Sequence, residues 1–372
     1  MRFEIFGDSL QISVDASVAI PFEGPLSESA LFDFHRKINQ GHFQPLLQVL
    51  LQYRNDHNLN DWLYYQLVRK AAQQIAPKEE NYQRYTLYKW FLLVKSGYDA
   101  TLNIYNGHLL FYVYSKDEVY NLPLYLKEGK QYVCLNIHDY ARAFQQVSGI
   151  VSHVDLPEPA ALNAFSYKVS RLPEFHGATY QEKELRFPYG DREYHFVLKV
   201  NPQVGNIFAN YPTVEFEDYF NIPMSRQTYQ SLVPMLKDNL KGKNVKNGVA
   251  YLMQFTRYAF LYEDDMNNFG REKRMSAEET LLSSASDCDD RAALFFYLVK
   301  EIYNIPMLAL VYPEHITIAV QLEKGKGKGI KYGGKKYFIC EPTPQKENLG
   351  IGKIAHHLRK LTYEVVYAYN PL

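Results

Sequence analysis

Hydrophobic positions change their period several times along the chain, and the changes mark out its elements. Residues 2–20 alternate, with Phe3 and Ile5 followed by Leu10, Ile12 and Val14, which predicts short strands. From 29 to 95 the spacing turns helical. Phe32, Ile38, Leu46, Leu47, Leu50 and Leu51 recur at amphipathic-helix intervals, as do Trp62, Leu63, Leu67, Ala71 and Ile75. A further helix is predicted over 85–95, ahead of Gly97, and strands over 101–105, 108–114 and 131–136.

Between 148 and 226 the helical period vanishes. Strand-like stretches at 165–169, 183–187 and 194–200 are divided by turn signals such as Phe187-Pro188-Tyr189-Gly190, which predicts a small all-β, sandwich-like module. Helices resume over 227–240 and 248–262, joined by the polar run Lys241-Gly242-Lys243-Asn244. The remainder reads as a helix over 288–303 and strands over 308–312, 316–322 and 337–340, with 323–336 as a glycine- and lysine-rich hairpin tip. The expected fold class is α+β in three parts: 1–147, a β-rich module at 148–226, and 227–372 as a helix-plus-antiparallel-sheet domain.

Two stretches share an order of elements. Trp90-Phe91-Leu92-Leu93-Val94-Lys95 leads through strands to Lys130-Gln131-Tyr132-Val133-Cys134, and Phe296-Tyr297-Leu298-Val299-Lys300 leads through strands to Lys335-Lys336-Tyr337-Phe338-Ile339. Aligned on their Val-Lys pairs, Gln83 falls opposite Cys288 and His108 within two residues of the position opposite His315. Aligned on Tyr132 and Tyr337, Asn136 falls opposite Glu341. An internal repeat whose first copy lacks a nucleophile is one reading; chance likeness of two ordinary helix-and-sheet units is the other.

Composition narrows the function classes. The 372 residues carry 41 Lys plus Arg against 41 Asp plus Glu, and this balance argues against a nucleic-acid binder. Three cysteines, Cys134, Cys288 and Cys340, are too few for a disulfide framework and leave room for a reactive thiol. The opening Met1-Arg2-Phe3-Glu4-Ile5 has no apolar signal region, and the longest apolar run, 294–312, is broken by Lys300, Glu301 and Asn304. The chain as it stands is therefore expected in the cytoplasm without a membrane span, or in the cell envelope if an export signal precedes it.

The chemistry concentrates in Ser286-Asp287-Cys288-Asp289-Asp290-Arg291-Ala292. Ser286 or Asp287 can cap a helix, which sets Cys288 in its first turn, where unpaired N–H groups favour a thiolate. Asp289 and Asp290 partly oppose that, so a base must supply the rest. His315, opening a strand in Glu314-His315-Ile316, is the candidate base. Glu341, ahead of Pro342-Thr343, can orient the imidazole. The paired His356-His357 point in diverging directions on a helix and are not a metal site.

These motifs resemble the transglutaminase-like superfamily of papain-like thiol enzymes, in its bacterial form. The likeness spans 248–345 and includes Phe260-Leu261-Tyr262-Glu263-Asp264-Asp265, Glu279-Thr280-Leu281 and the turn Tyr303-Asn304-Ile305-Pro306. It implies nucleophilic attack by Cys288 on an amide carbonyl, proton exchange by His315, orientation by Glu341, and Gln254 as an oxyanion donor. No cofactor is implied. The substrates would be peptide, isopeptide or peptidoglycan-type amides, with hydrolysis and cross-linking both open. Ser286 stands where the family has Gly and Glu341 where it has Asp, so a non-catalytic binding or scaffold protein is the alternative.

Overall fold

The computed structural model describes residues 1–140, 151–159, 163–264, 273–323 and 329–371. The chain is mixed α+β and divides into two compact units, 1–175 with 210–214, and 176–209 with 215–372.

The first unit opens with the antiparallel pair β1 (Arg2–Ile5) and β2 (Asp8–Gln11), followed by helices α1 (Glu28–Gln40), α2 (Gln44–Asp56), α3 (Asp61–Ile75) and α4 (Tyr82–Lys95). Ser27, Asn60 and Asn81 cap α1, α3 and α4 by accepting backbone N–H bonds, as short polar side chains do at helix starts. The α1 stripe is Leu31, Phe34 and Ile38, and Phe32 lies outside it, exposed. Strands β3 (Ala100–Tyr105), β4 (His108–Tyr114), β5 (Leu124–Lys127), β6 (Lys130–Cys134) and β7 (Val151–Val154) form one curled antiparallel sheet in the order β5-β6-β4-β3-β7. Helix α4 packs on β3 and β4, and its Leu87, Phe91 and Leu92 are inaccessible to solvent.

The second unit begins with a long hairpin, β8 (Gln181–Tyr189) and β9 (Arg192–Val200), then α5 (Pro202–Phe208), α6 (Phe216–Phe220), α7 (Arg226–Asn239), α8 (Val245–Tyr258), α9 (Ala277–Leu282) and α10 (Cys288–Tyr303). Its sheet contains β10 (Met307–Tyr312), β11 (His315–Gln321), β12 (Ile330–Tyr332), β13 (Lys335–Cys340) and β14 (Glu364–Tyr369), in the order β12-β13-β11-β10-β14. Asn304 ends α10 in the left-handed conformation, and Pro306 prevents its continuation. Gly248 is required where α8 meets α10, because a Cβ there would lie 1.5 Å from Tyr303 Oη.

Three sequence expectations need correction. Residues 148–226 are not a separate all-β module. Strand β7 completes the first sheet, the β8–β9 hairpin packs on α7 and α8, and α5 and α6 are helical. Alternation alone marks a strand without saying which sheet recruits it. The stretch 165–169 forms no strand and joins no sheet among the described residues. The tip at 323–336 contains the strand β12, joined to β13 by Gly333-Gly334, both at positive φ. Residues 324–328 lie outside the described residues.

The two sheets repeat one topology. Each follows a long helix and has the same five-strand order. Each central hairpin closes on a Tyr–His pair, Tyr105 with His108 and Tyr312 with His315. In the next pairing Val113 meets Val133 as Val320 meets Phe338. Counting three residues on from those pairs, Asn136 occupies the place of Glu341, and His108 that of His315. At the helix start it is Tyr82, not Gln83, that corresponds to Cys288, since both are first helical residues after their caps. The Val-Lys alignment misses this by one because Val94 lies one residue further from its helix start than Val299.

Candidate active site

Chain direction at the start of α10 is set before the helix begins. Leu261–Tyr262 pairs in parallel with Ala285–Ser286, so the residues before Cys288 are held as a strand against the segment that follows α8. Asp287 then caps the helix, accepting from Asp289 N at 3.0 Å and Asp290 N at 3.2 Å, while Asp290 returns a bond from Asp287 N. Arg291 locks the arrangement. Its fully buried guanidinium donates to the carbonyls of Ser286, Thr256, Arg257, Phe260 and Leu261. One side chain thereby satisfies the last carbonyls of α8 and the strand that leads to the cysteine.

Cys288, the first residue of α10, is partly exposed in a cleft of about 600 Å³. His315 opens β11 and lines the same cleft. Its Nε2 lies 2.8 Å from Oε2 of Glu341, which is 2% exposed. Glu341 is fixed at three points: Oε1 accepts from Thr343 N at 2.9 Å, and its main-chain carbonyl accepts from Nε and Nη2 of Arg257. The carboxylate engages Nε2 and leaves Nδ1 as the nitrogen with base character.

The thiol has different partners. Cys288 Sγ donates to Asp289 Oδ1 at 3.5 Å, and the backbone N–H of Ile316, the residue after His315, acts on the thiol to favour its charged form. Burial, and after it the negative charges of Asp289 and Asp287, push the Cys288 pKa up, and the Ile316 N–H acts the other way without reversing this. The helix start alone would favour a thiolate; here desolvation and two carboxylates outweigh it. Cys288 and His315 thus share a cleft while their hydrogen bonds run to different acids.

Gln254 is not brought to this cleft. Its amide Nε2 donates to Asn348 Oδ1 at 2.7 Å, and Arg257 Nη1 donates to the same oxygen at 2.6 Å. Gln254 and Arg257 lie three residues apart on one buried face of α8, so the amide belongs to the bracket behind Glu341. Arg257 and Asn348 were not legible as site residues, because an Arg on a helix and an Asn in a loop carry no spacing signal. Glu278 and Glu279 are structural: Glu278 binds Ser225 and Thr228, and Glu279 forms a capping box with Ser276. Cys340 and Cys134 are buried, and burial raises both thiols, Cys134 to about 12. His356 and His357 lie exposed in a short 3-10 turn.

In the first unit the corresponding place is filled. Asn136 Oδ1 accepts from Phe111 N at 2.8 Å, and its Nδ2 donates to Leu109 O and to Tyr82 Oη. The Tyr82 hydroxyl in turn donates to Asp139 at 2.6 Å. A phenol and an amide stand where the second unit has a thiol and a carboxylate, and both are spent on structural hydrogen bonds.

Comparison with protein-family models, with curated proteins and with solved structures returns no match.

Proposed function

We propose that the second unit carries out thiol-dependent acyl transfer on peptide or isopeptide amides, in the manner of the transglutaminase-like thiol enzymes it resembles. The observation that carries this reading is the 2.8 Å His315–Glu341 contact in the cleft that also holds Cys288 at a helix start. Sγ attacks the amide carbonyl carbon as its proton passes to His315 Nδ1. The tetrahedral intermediate collapses to a thioester while His315 returns the proton to the departing amine. Water or a second amine then attacks the thioester, with His315 as base, and regenerates the thiol. Glu341 holds the imidazole in the tautomer this requires.

One observation favours a second reading, a non-catalytic binding protein: the thiol is hydrogen-bonded to Asp289 rather than to His315. p-Nitrophenyl acetate separates the two. The enzyme reading expects an acetyl adduct on Cys288 that forms rapidly and is lost in His315→Ala. An adduct rate equal to that of a free thiol and indifferent to His315→Ala would leave only the binding reading.

A further inference from the structure

Asp289 is hydrogen-bonded through both carboxylate oxygens, and acyl transfer gives it no role. Its carboxylate receives the Cys288 S–H at Oδ1, while Oδ2 accepts from Arg274 Nε at 3.2 Å. Arg274 is itself seated, with its guanidinium 4.0 Å from the Phe216 ring centre. Cys288, Asp289, Arg274 and Phe216 all line the cleft.

We propose that Asp289, braced by Arg274, latches the Cys288 thiol in a neutral resting state by directing its S–H bond away from His315. This rests on the acyl-transfer reading for the identity of the nucleophile. Opening the latch moves no electrons and breaks no covalent bond: the thiol rotates about its Cα–Cβ bond and presents its proton to His315 in place of Asp289. Asp289 is a positioning residue, acting on the reaction through Cys288.

The groups that share the thiol's surroundings support a role specific to Asp289. On α10 and its cap, Asp287 is also anionic, yet it is committed to the backbone N–H groups of Asp289 and Asp290, and Arg291 is committed to five carbonyls. Beyond the end of α8, the Tyr262 hydroxyl is bonded to Asp264. From the β10–β11 turn come Glu314 and His315, the latter engaged by Glu341. Asp289 is the anion to which the S–H bond points, and its charge raises the thiol together with burial.

The test is the pH dependence of iodoacetamide alkylation at Cys288, followed by mass spectrometry in the full-length chain. Asp289→Asn removes the charge and is expected to lower the midpoint by about one unit, with labelling about tenfold faster at pH 7. Arg274→Gln leaves Asp289 uncompensated and is expected to raise the midpoint, an effect that vanishes in the double variant. An Asp289→Asn midpoint at or above that of the wild type would overturn the latch. Should that variant not fold, an unmoved midpoint in Arg274→Gln overturns it equally. No amide substrate enters these measurements, so the latch can fail while acyl transfer stands, and a failure of acyl transfer shows in the ester assay and not in the alkylation midpoint.

Discussion

His315 Nε2 and Glu341 Oε2 lie 2.8 Å apart at the edge of the cleft, and Glu341 is itself pinned by Thr343 and Arg257. A carboxylate can only accept, so it selects the imidazole with hydrogen on Nε2 and the lone pair on Nδ1. Glu341→Gln offers an amide that can donate instead and reverse the tautomer. Acyl-enzyme formation from p-nitrophenyl acetate is expected to fall about a hundredfold or more, and Glu341→Asp is expected to fall less. Equal rates in Glu341→Gln and wild type would remove Glu341 from the mechanism.

Arg291 makes five bonds to main-chain carbonyls in a buried position, so Arg291→Leu strands acceptors that water cannot reach. The loss is expected to be at least about 3 kcal/mol, read as a melting temperature lower by roughly 6–12 °C. The strand before Cys288 is released at the same time, so acylation falls as well. Thermal unfolding followed by circular dichroism checks the first effect and the ester assay the second.

Asn136 stands in the place of Glu341 but bonds Phe111 N and Leu109 O. Asn136→Ala is expected to destabilise the first unit by about 2–4 kcal/mol and to leave alkylation of Cys288 unchanged. A change in Cys288 reactivity without loss of stability would contradict the assignment of this position as structural.

Lys89 is 1% exposed, and burial lowers its ammonium to about 7, with its Nζ 4.4 Å from the Tyr85 ring centre. The folded pKa lies below the unfolded value, so between about pH 7 and 10.5 the unfolded chain binds more protons and stability rises with pH. Below that window the buried charge weakens the fold. Lys89→Met is expected to melt higher than wild type at pH 7, with the gap closing by pH 10. A gap that widens with pH would show the opposite sign and refute the assignment.

The site and its copy differ in how much of them a reader of the sequence can see. Helix and strand positions follow from periodicity: the helix at 288–303 is where the pattern sets it, and the strands at 100–105 and 108–114 are within a residue of theirs. The short strands at 124–127, 330–332 and 364–369 were not legible, because their pairing partners and not their own alternation make them strands. Gln254 reads as a plausible donor in sequence, yet it is turned to Asn348.

By itself the sequence determined the chemistry available and the local geometry: a cysteine behind an Asp cap, a histidine opening a strand, and a glutamate halted by Pro342. Those follow from short-range forces, namely capping, periodicity and backbone stiffness. Only the tertiary structure decided that the thiol meets a different acid from the imidazole. Glu341 lies 26 residues from His315 and reaches it through the β11–β13 pairing, whereas Asp289, adjacent to Cys288, takes the thiol. Register between strands is fixed by burial across the whole sheet, and no local pattern encodes it.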